Sequence, residues 1–399
     1  MSLRILWVSN AGWAGTGYGN QTRHITAWLR DQGHDIGVLA FWGLEGGRIT
    51  YDGIPYYPRH LDVYGNDAIA YYARVQRADM IFTLIDAWVM DPNIRKAGYW
   101  CCIAPIDHDV APAPVIERLK AAHLAVAYSC YGERKMVEAG VPNVAYVPHG
   151  IDCENYRPLP EASVLRRRYY AEGEEDRFWI GMVAANKGWP ARKGFPEAFE
   201  AFAEFHRRHA DARLYIHATF DERFRGPNLN ELRQRPYGIP DGAIFFGEPM
   251  RLMDGYTDEQ MNDLYNTFDV FLNPAYGEGF GIPTVEAQAA GVPVIVGDNT
   301  AQTELCGAGW LVPTRMTEPT LIGANWYRPD PAGILSALEE AYAMKRDRPS
   351  DWAALRAKAR RFARGYDWPL VFERYWTPLM ARIDRETGGA VVAELRAAR

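Results

Sequence analysis

The chain has 399 residues, 48% of them hydrophobic and 24% charged, with a net charge of −6. That length suits two or three domains with large cores, and the acidic balance argues against a broad nucleic-acid surface. Five cysteines without a repeated spacing or a C-x-x-C pair fit reduced thiols better than a disulfide framework or a zinc site. No apolar run approaches the roughly 18–20 residues of a membrane span, and the first residues enter a strand-like run without a signal-peptide pattern, so a cytoplasmic protein is expected.

In chain order, short apolar runs alternate with amphipathic segments. Strands are expected at 3–9, 35–41, 78–85, 98–105, 123–129 and 143–149, with a helix over 20–33 that ends on Gly33. The rhythm pauses over 153–177, which reads as a linker with a short helix; its Arg166–Arg168 run is expected on a solvated face. It resumes with strands at 178–186, 212–219, 243–248, 269–275, 292–298 and 309–313. Helices are expected over 196–210 and over 257–268, the latter capped by Thr257. The last 60 or so residues read as helices, among them the basic segment RAKARRFARG, an exposed helix or a membrane-docking one. This order predicts two doubly wound parallel-sheet α/β domains, at about 1–165 and 175–365, followed by returning helices over 366–399. Such sheets bind ligands at the carboxyl ends of their strands, so the cleft between them is the expected site.

The most informative stretch is YGEGFGIPTVEAQAAGVPVI, residues 276–295. It leaves the carboxyl end of a strand, and a helix is expected to start at Pro283, where a missing N–H is harmless. Gly277, Gly279 and Gly281 can bring backbone N–H groups near a ligand, and the helix start favours an anion. Glu278 and Glu286 both border that helix start. Two carboxylates repel a phosphate unless they face neutral hydroxyls, and a carboxylate accepts from a vicinal diol. A molecule with sugar at both ends and phosphate in the middle, a nucleotide sugar, satisfies both. The loop NKGWPARKGF (186–195) offers Lys187, Arg192 and Lys193 for the phosphates. Of the 13 Trp and 23 Tyr, most belong in cores; Trp13 and Trp189, in glycine-rich loops, could instead stack on a sugar.

These residues resemble the E-x7-E segment of retaining glycosyltransferases of GT-B fold, glycosyltransferase family 4. The stretches NAGWAGTGYGNQTRHITAWL, GHDI, VAYS, VPHGID, RKGFPEAF, FFGEPM and YNTFDVFLNPAYGEGFG follow the family's order over roughly residues 3–385. The resemblance implies that Glu286 binds the donor ribose, Glu278 contacts the transferred sugar, and Lys193 binds the diphosphate. It implies further donor contacts from Gly279, Phe280 and Gly281. Where the family has a Gly-Arg pair this chain has Asn186, so Lys187 or Arg192 would substitute. His108 in APIDHDVAP matches the active-site histidine. The loop Gly15, Thr16, Gly17, Tyr18, Gly19 would close over phosphate and acceptor. The implied reaction needs no metal and no cofactor, only a nucleoside-diphosphate sugar and an acceptor, which could be a glycan, lipid, protein or small molecule. No nucleic-acid partner is expected, permanent membrane attachment is not favoured, and the oligomeric state stays open.

Rival readings share parts of this pattern. GTGYGN suggests a dinucleotide loop, but the strand at 35–41 lacks the acidic end that an NAD-dependent oxidoreductase requires. Asp107 and Asp109 form a D-x-D pattern that elsewhere holds a metal. A nucleotide-sugar epimerase, a sugar phosphorylase or a non-catalytic sugar-binding protein would use similar contacts.

Overall fold

The computed structural model describes residues 2–386 except Glu161, Ala171, Trp189, Arg223, Phe224 and Glu318. Trp189, one of the two tryptophans singled out above, therefore lies outside the described residues.

Two parallel sheets form the framework. The first contains β1 (Arg4–Asn10), β2 (Asp35–Trp42), β3 (Ile49–Tyr51), β4 (Ile54–Pro58), β5 (Met80–Leu84), β6 (Tyr99–Ala104), β7 (Leu124–Ala127) and β8 (Val144–Tyr146). Its spatial order is β3-β4-β2-β1-β5-β6-β7-β8, parallel except for the β3–β4 hairpin. The second contains β9 (Phe178–Val183), β10 (Ala212–His217), β11 (Ile244–Phe246), β12 (Val270–Asn273), β13 (Val294–Gly297) and β14 (Gly309–Val312), in the order β11-β10-β9-β12-β13-β14. Most of these strands are buried along nearly their whole length, as in β1, β5, β6 and β12, because helices cover both faces of a parallel sheet. The expected doubly wound α/β architecture is thus present twice.

In each sheet the chain reverses its direction of travel once. The switch lies between β1 and β5 in the first sheet and between β9 and β12 in the second. Loops leaving adjacent strands on either side of such a switch diverge and leave a crevice. The Arg192–Lys193 segment follows β9 and the Glu278 loop follows β12, so they flank the second crevice.

Local details depart from the sequence expectations. Gly17, Tyr18 and Gly19 are the first turn of the Gly17–Asp31 helix rather than loop, because Thr16 caps it by accepting the Gly19 N–H at 3.0 Å. The Ile282–Ala289 helix opens on Ile282, with Pro283 second. Thr257 does cap the Asp258–Asn266 helix, and Gln260 returns the bond in a capping box. Arg166 is not on a solvated face: it is buried and pairs with Asp269 at 3.0 Å, whereas Arg167 and Arg168 are exposed. In the basic Pro349–Ala363 helix, Arg360 donates to the carbonyls of Ala289 and Cys153, so its charge fastens the helix to the body.

The final helices cross back onto the first sheet. Trp376 packs on Trp7 and Phe82, Phe372 stacks on Trp28 with centroids 4.8 Å apart, and Tyr99 donates to Glu386 at 2.6 Å. Among the described residues no helix is long and apolar enough to cross a membrane.

Candidate active site

The two sheets present their carboxyl edges to one cleft. On the second-domain side, Lys193 Nζ meets Glu278 Oε1 at 2.5 Å, and Arg192 lies 4.0 Å from the other carboxylate oxygen while donating to the Gly277 carbonyl. The Arg192 carbonyl in turn accepts the Tyr276 N–H, so the two loops are stitched side by side. Gly194, at φ +70°, makes this approach feasible: a Cβ there would stand 2.1 Å from the Pro274 carbonyl oxygen.

A residue that sequence reading passed over holds the backbone of Glu278. Thr300 Oγ1 accepts the Glu278 N–H at 3.0 Å and donates to Asn299 Oδ1. Thr300 has φ +47°, a left-handed conformation that costs a β-branched residue on the order of 1–3 kcal/mol. Strain of that size persists only where surrounding bonds enforce it, as these two do.

From the first domain, His108 and Asp107 follow β6. His108 is buried, and its Nδ1 lies 2.6 Å from Asp107 Oδ1. Burial would raise the Asp107 carboxyl, but the His108 hydrogen bond and the Arg192 and Lys193 charges hold it below the usual range. Asp86, just past β5, is a second residue not anticipated from sequence. Burial and the neighbouring Asp107 charge push its carboxyl up to about 6, while Arg192 and Lys187 pull the other way. Its place after the strand beside the switch point is the signal that could have found it. Tyr18 and Tyr128 close the floor, their hydroxyls 3.3 Å apart, and His149 stacks on Tyr128 and meets Phe280 edge-on. Burial leaves His149 neutral, with its pKa lowered to about 3.

Glu286 sits on the Ile282–Ala289 helix. It is buried and accepts from Tyr265 at 2.7 Å, with Tyr156 as a second hydroxyl partner. Burial pushes its carboxyl up to about 7 despite those hydrogen bonds. Asp258, beside it, is paired across the cleft with Arg23.

The other expected site residues have these surroundings. The Asn186 amide donates to the carbonyls of Thr219, Asp221 and Pro227, which ties down the neighbouring loop. Lys187 is exposed at the cleft rim. Gly277 and Gly279 lie close against the other domain. A Cβ on Gly277 would lie 1.9 Å from the Asp107 carbonyl oxygen, and one on Gly279 would lie 2.4 Å from Pro105 Cβ. Gly281 has φ +113° and turns the chain into its helix, while Gly17 faces Ile282 across the cleft. Gly15 is exposed. Trp13 packs among Tyr51 and Tyr56 and donates to the Gly43 carbonyl. Asp109 does not join Asp107 in a metal-like pair; its carboxylate accepts the Asn325 N–H. Among the described residues no group of three or more His, Cys, Asp or Glu is placed to hold a metal ion.

The sequence and the fold have known counterparts. Residues 177–322 match the family model described as "Glycosyl transferases group 1". Over 187 residues the chain is 30% identical to a GDP-mannose-dependent alpha-(1-6)-phosphatidylinositol monomannoside mannosyltransferase of Mycobacterium tuberculosis, covering 44% of each chain. Over 161 residues it is 29% identical to mannosylfructose-phosphate synthase of Agrobacterium fabrum, covering 39% of this chain and 32% of that one. The matched segments thus span less than half the length of these relatives. Whole-chain likeness is structural. The sucrose-phosphate synthase of Thermosynechococcus elongatus superposes with a TM-score of 0.73 at 15% identity, covering 97% of this chain and all of that one. Anabaena HepE, solved in complex with UDP and glucose, superposes with a TM-score of 0.69 at 16% identity, covering 95% and 99%. The fold is GT-B, and the chain resembles the group 1 glycosyltransferases.

Proposed function

We propose that the protein is a retaining, metal-independent glycosyltransferase that moves a sugar from a nucleoside-diphosphate sugar to an acceptor in the cytoplasm. The observation that carries this reading is the Lys193–Glu278 pair, flanked by Arg192, with the Arg192 and Lys193 charges acting on Asp107, the partner of His108. One loop supplies cations, its neighbour supplies a carboxylate, and both leave the sheet at its switch point. Likeness to group 1 glycosyltransferases over the same segment supports the same reading.

In the proposed reaction Lys193 and Arg192 bind the diphosphate and stabilise the charge that grows on it as the bond to the anomeric carbon breaks. Lys187, at the rim, is placed to guide the phosphates in. Glu278 orients the sugar, and His108 lies against it near the reacting carbon. The acceptor oxygen attacks the anomeric carbon from the face the phosphate leaves, and its proton passes to the departing phosphate oxygen. Arg192 and Lys193 provide the positive charge that a metal ion would otherwise bring. Phe280 and Gly281 line the donor side, and the Gly15–Gly19 turn lies where the acceptor meets the phosphates.

The test is release of free nucleoside diphosphate from a panel of nucleotide sugars with EDTA present. Slow release from one donor supports the transferase; conversion of a donor to its intact epimer, without release, overturns it in favour of an epimerase.

Glu286 is proposed to clamp the ribose, and it gives the reading a pH signature. Ribose hydroxyls donate to an ionised carboxylate, so donor binding favours the deprotonated form. With its pKa raised to about 7, donor affinity should climb as pH rises through neutrality and then level off. Calorimetric titration at several pH values should show this climb in the wild type and a flatter profile in Glu286→Gln. The same raised carboxyl is favoured protonated in the fold, so its contribution to stability falls as pH rises from about 4.5 toward 7.

A further inference from the structure

Beyond β14 the chain forms an antiparallel hairpin, β15 (Thr314–Met316) paired with β16 (Tyr327–Pro329), that reaches from the second domain to the first. Just before β16, Asn325 clasps Asp109 with two bonds. Its N–H donates to Asp109 Oδ1 at 2.7 Å, and its carbonyl accepts the Asp109 N–H at 3.0 Å. The hairpin braces this segment from within: the Asn325 amide donates to the Thr317 carbonyl, and the Trp326 N–H to Thr317 Oγ1.

The clasp lays the Trp326 indole on the His108 ring, with centroids 5.1 Å apart and planes 21° apart. Two nitrogens are left over. Trp326 Nε1 and His108 Nε2 are both enclosed, and neither has a hydrogen-bond partner among the described residues. A buried polar atom without a partner costs on the order of 1–3 kcal/mol, so two on stacked neighbouring rings call for a ligand. Their chemistry is complementary. Indole nitrogen only donates; an imidazole that carries its one proton on Nδ1, toward Asp107, offers Nε2 as an acceptor.

We propose that Trp326 is a specificity-determining residue, whose indole N–H donates to a hydroxyl of the transferred sugar while His108 Nε2 accepts from the sugar. This rests on the transferase reading above. The hairpin thereby delivers half of the sugar-selecting pair from one domain to the other, and selection is complete only when Asn325 has clasped Asp109.

Trp326→Phe keeps an aromatic ring beside His108 and removes the N–H together with the rest of the five-membered ring. Donors lacking one sugar hydroxyl each separate that loss of packing from loss of the hydrogen bond. Calorimetry would compare the affinity of a nucleotide sugar with that of its nucleoside diphosphate, for wild type and variant. The variant should weaken the intact donor about tenfold or more while leaving the nucleoside diphosphate within about twofold. Among donors lacking one sugar hydroxyl each, one should bind wild type and variant alike. Equal weakening of donor and nucleoside diphosphate, or no weakening of either, would overturn the assignment of Trp326 and leave the transferase reading standing. Failure of the wild type to bind any nucleotide sugar would bring down that reading and this inference together.

Discussion

Lys193→Ala is expected to lower turnover by about 10²–10³-fold, the usual cost of removing one preorganised group that meets charge developing in a transition state. The geometry sharpens this expectation. Lys193 is the close partner of Glu278 at 2.5 Å, while Arg192 lies 4.0 Å away, so the substitution also leaves a nearly buried carboxylate poorly compensated. Two effects must then be separated. Loss of folding stability should be relieved in a Lys193→Ala, Glu278→Gln double variant, because the stranded charge goes with the second change. Turnover should not recover, since the diphosphate still lacks its cation and the sugar has lost the carboxylate that orients it. Nucleoside diphosphate release at saturating donor, beside thermal denaturation of both variants, checks this. Recovery of turnover in the double variant would reduce Lys193 to a counterion.

Gly277→Ala is expected to be nearly as damaging through a different route. The added Cβ would meet the Asp107 carbonyl oxygen at 1.9 Å, and that atom is backbone that cannot rotate away. The domains would have to part. A misplacement of about 1 Å between catalytic groups can cost about 10²-fold, so turnover should fall on that scale. Binding of the nucleoside diphosphate should change far less, because Lys193, Arg192 and Glu286 all belong to the second domain. Small-angle scattering of the variant with donor should report a more open particle than the wild type. An unchanged scattering profile with unchanged turnover would remove this contact from the closing mechanism.

The two glycines also show where sequence reading stops. Residues 276–295 revealed a strand end, a glycine-rich loop, a helix start and two carboxylates, because each has a local chemical signature. That the glycines were needed was legible; what they accommodate was not. A glycine permits close approach by anything, and only the folded chain identifies Asp107 and Pro105, some 170 positions away, as what approaches. Thr257 was readable for the opposite reason: a capping box closes within four residues.

The hairpin that carries Trp326 illustrates the same limit. Its strands are three residues each, too short for alternation to register, and its purpose lies in the bonds between Asn325 and Asp109. Thr300 escaped notice because nothing beside it in sequence explains a strained threonine, and Asp86 because its place after a strand says nothing of the charges that surround it. Asn186 drew attention by its place in a motif, yet its amide holds three carbonyls of a loop more than 30 residues on. The parallel sheets, by contrast, were written in the alternation of apolar runs with amphipathic helices, which demands no knowledge of distant partners.

The central claim is that this cleft holds a nucleotide sugar between the Lys193–Glu278 pair and Glu286. Its most direct test is calorimetric titration of the wild-type protein with a panel of nucleoside-diphosphate sugars, repeated on Glu286→Ala and Lys193→Ala. Saturable binding of one donor, weakened at least about tenfold in each variant, is the predicted result. Binding by no donor, or binding that both variants retain at full strength, would contradict it.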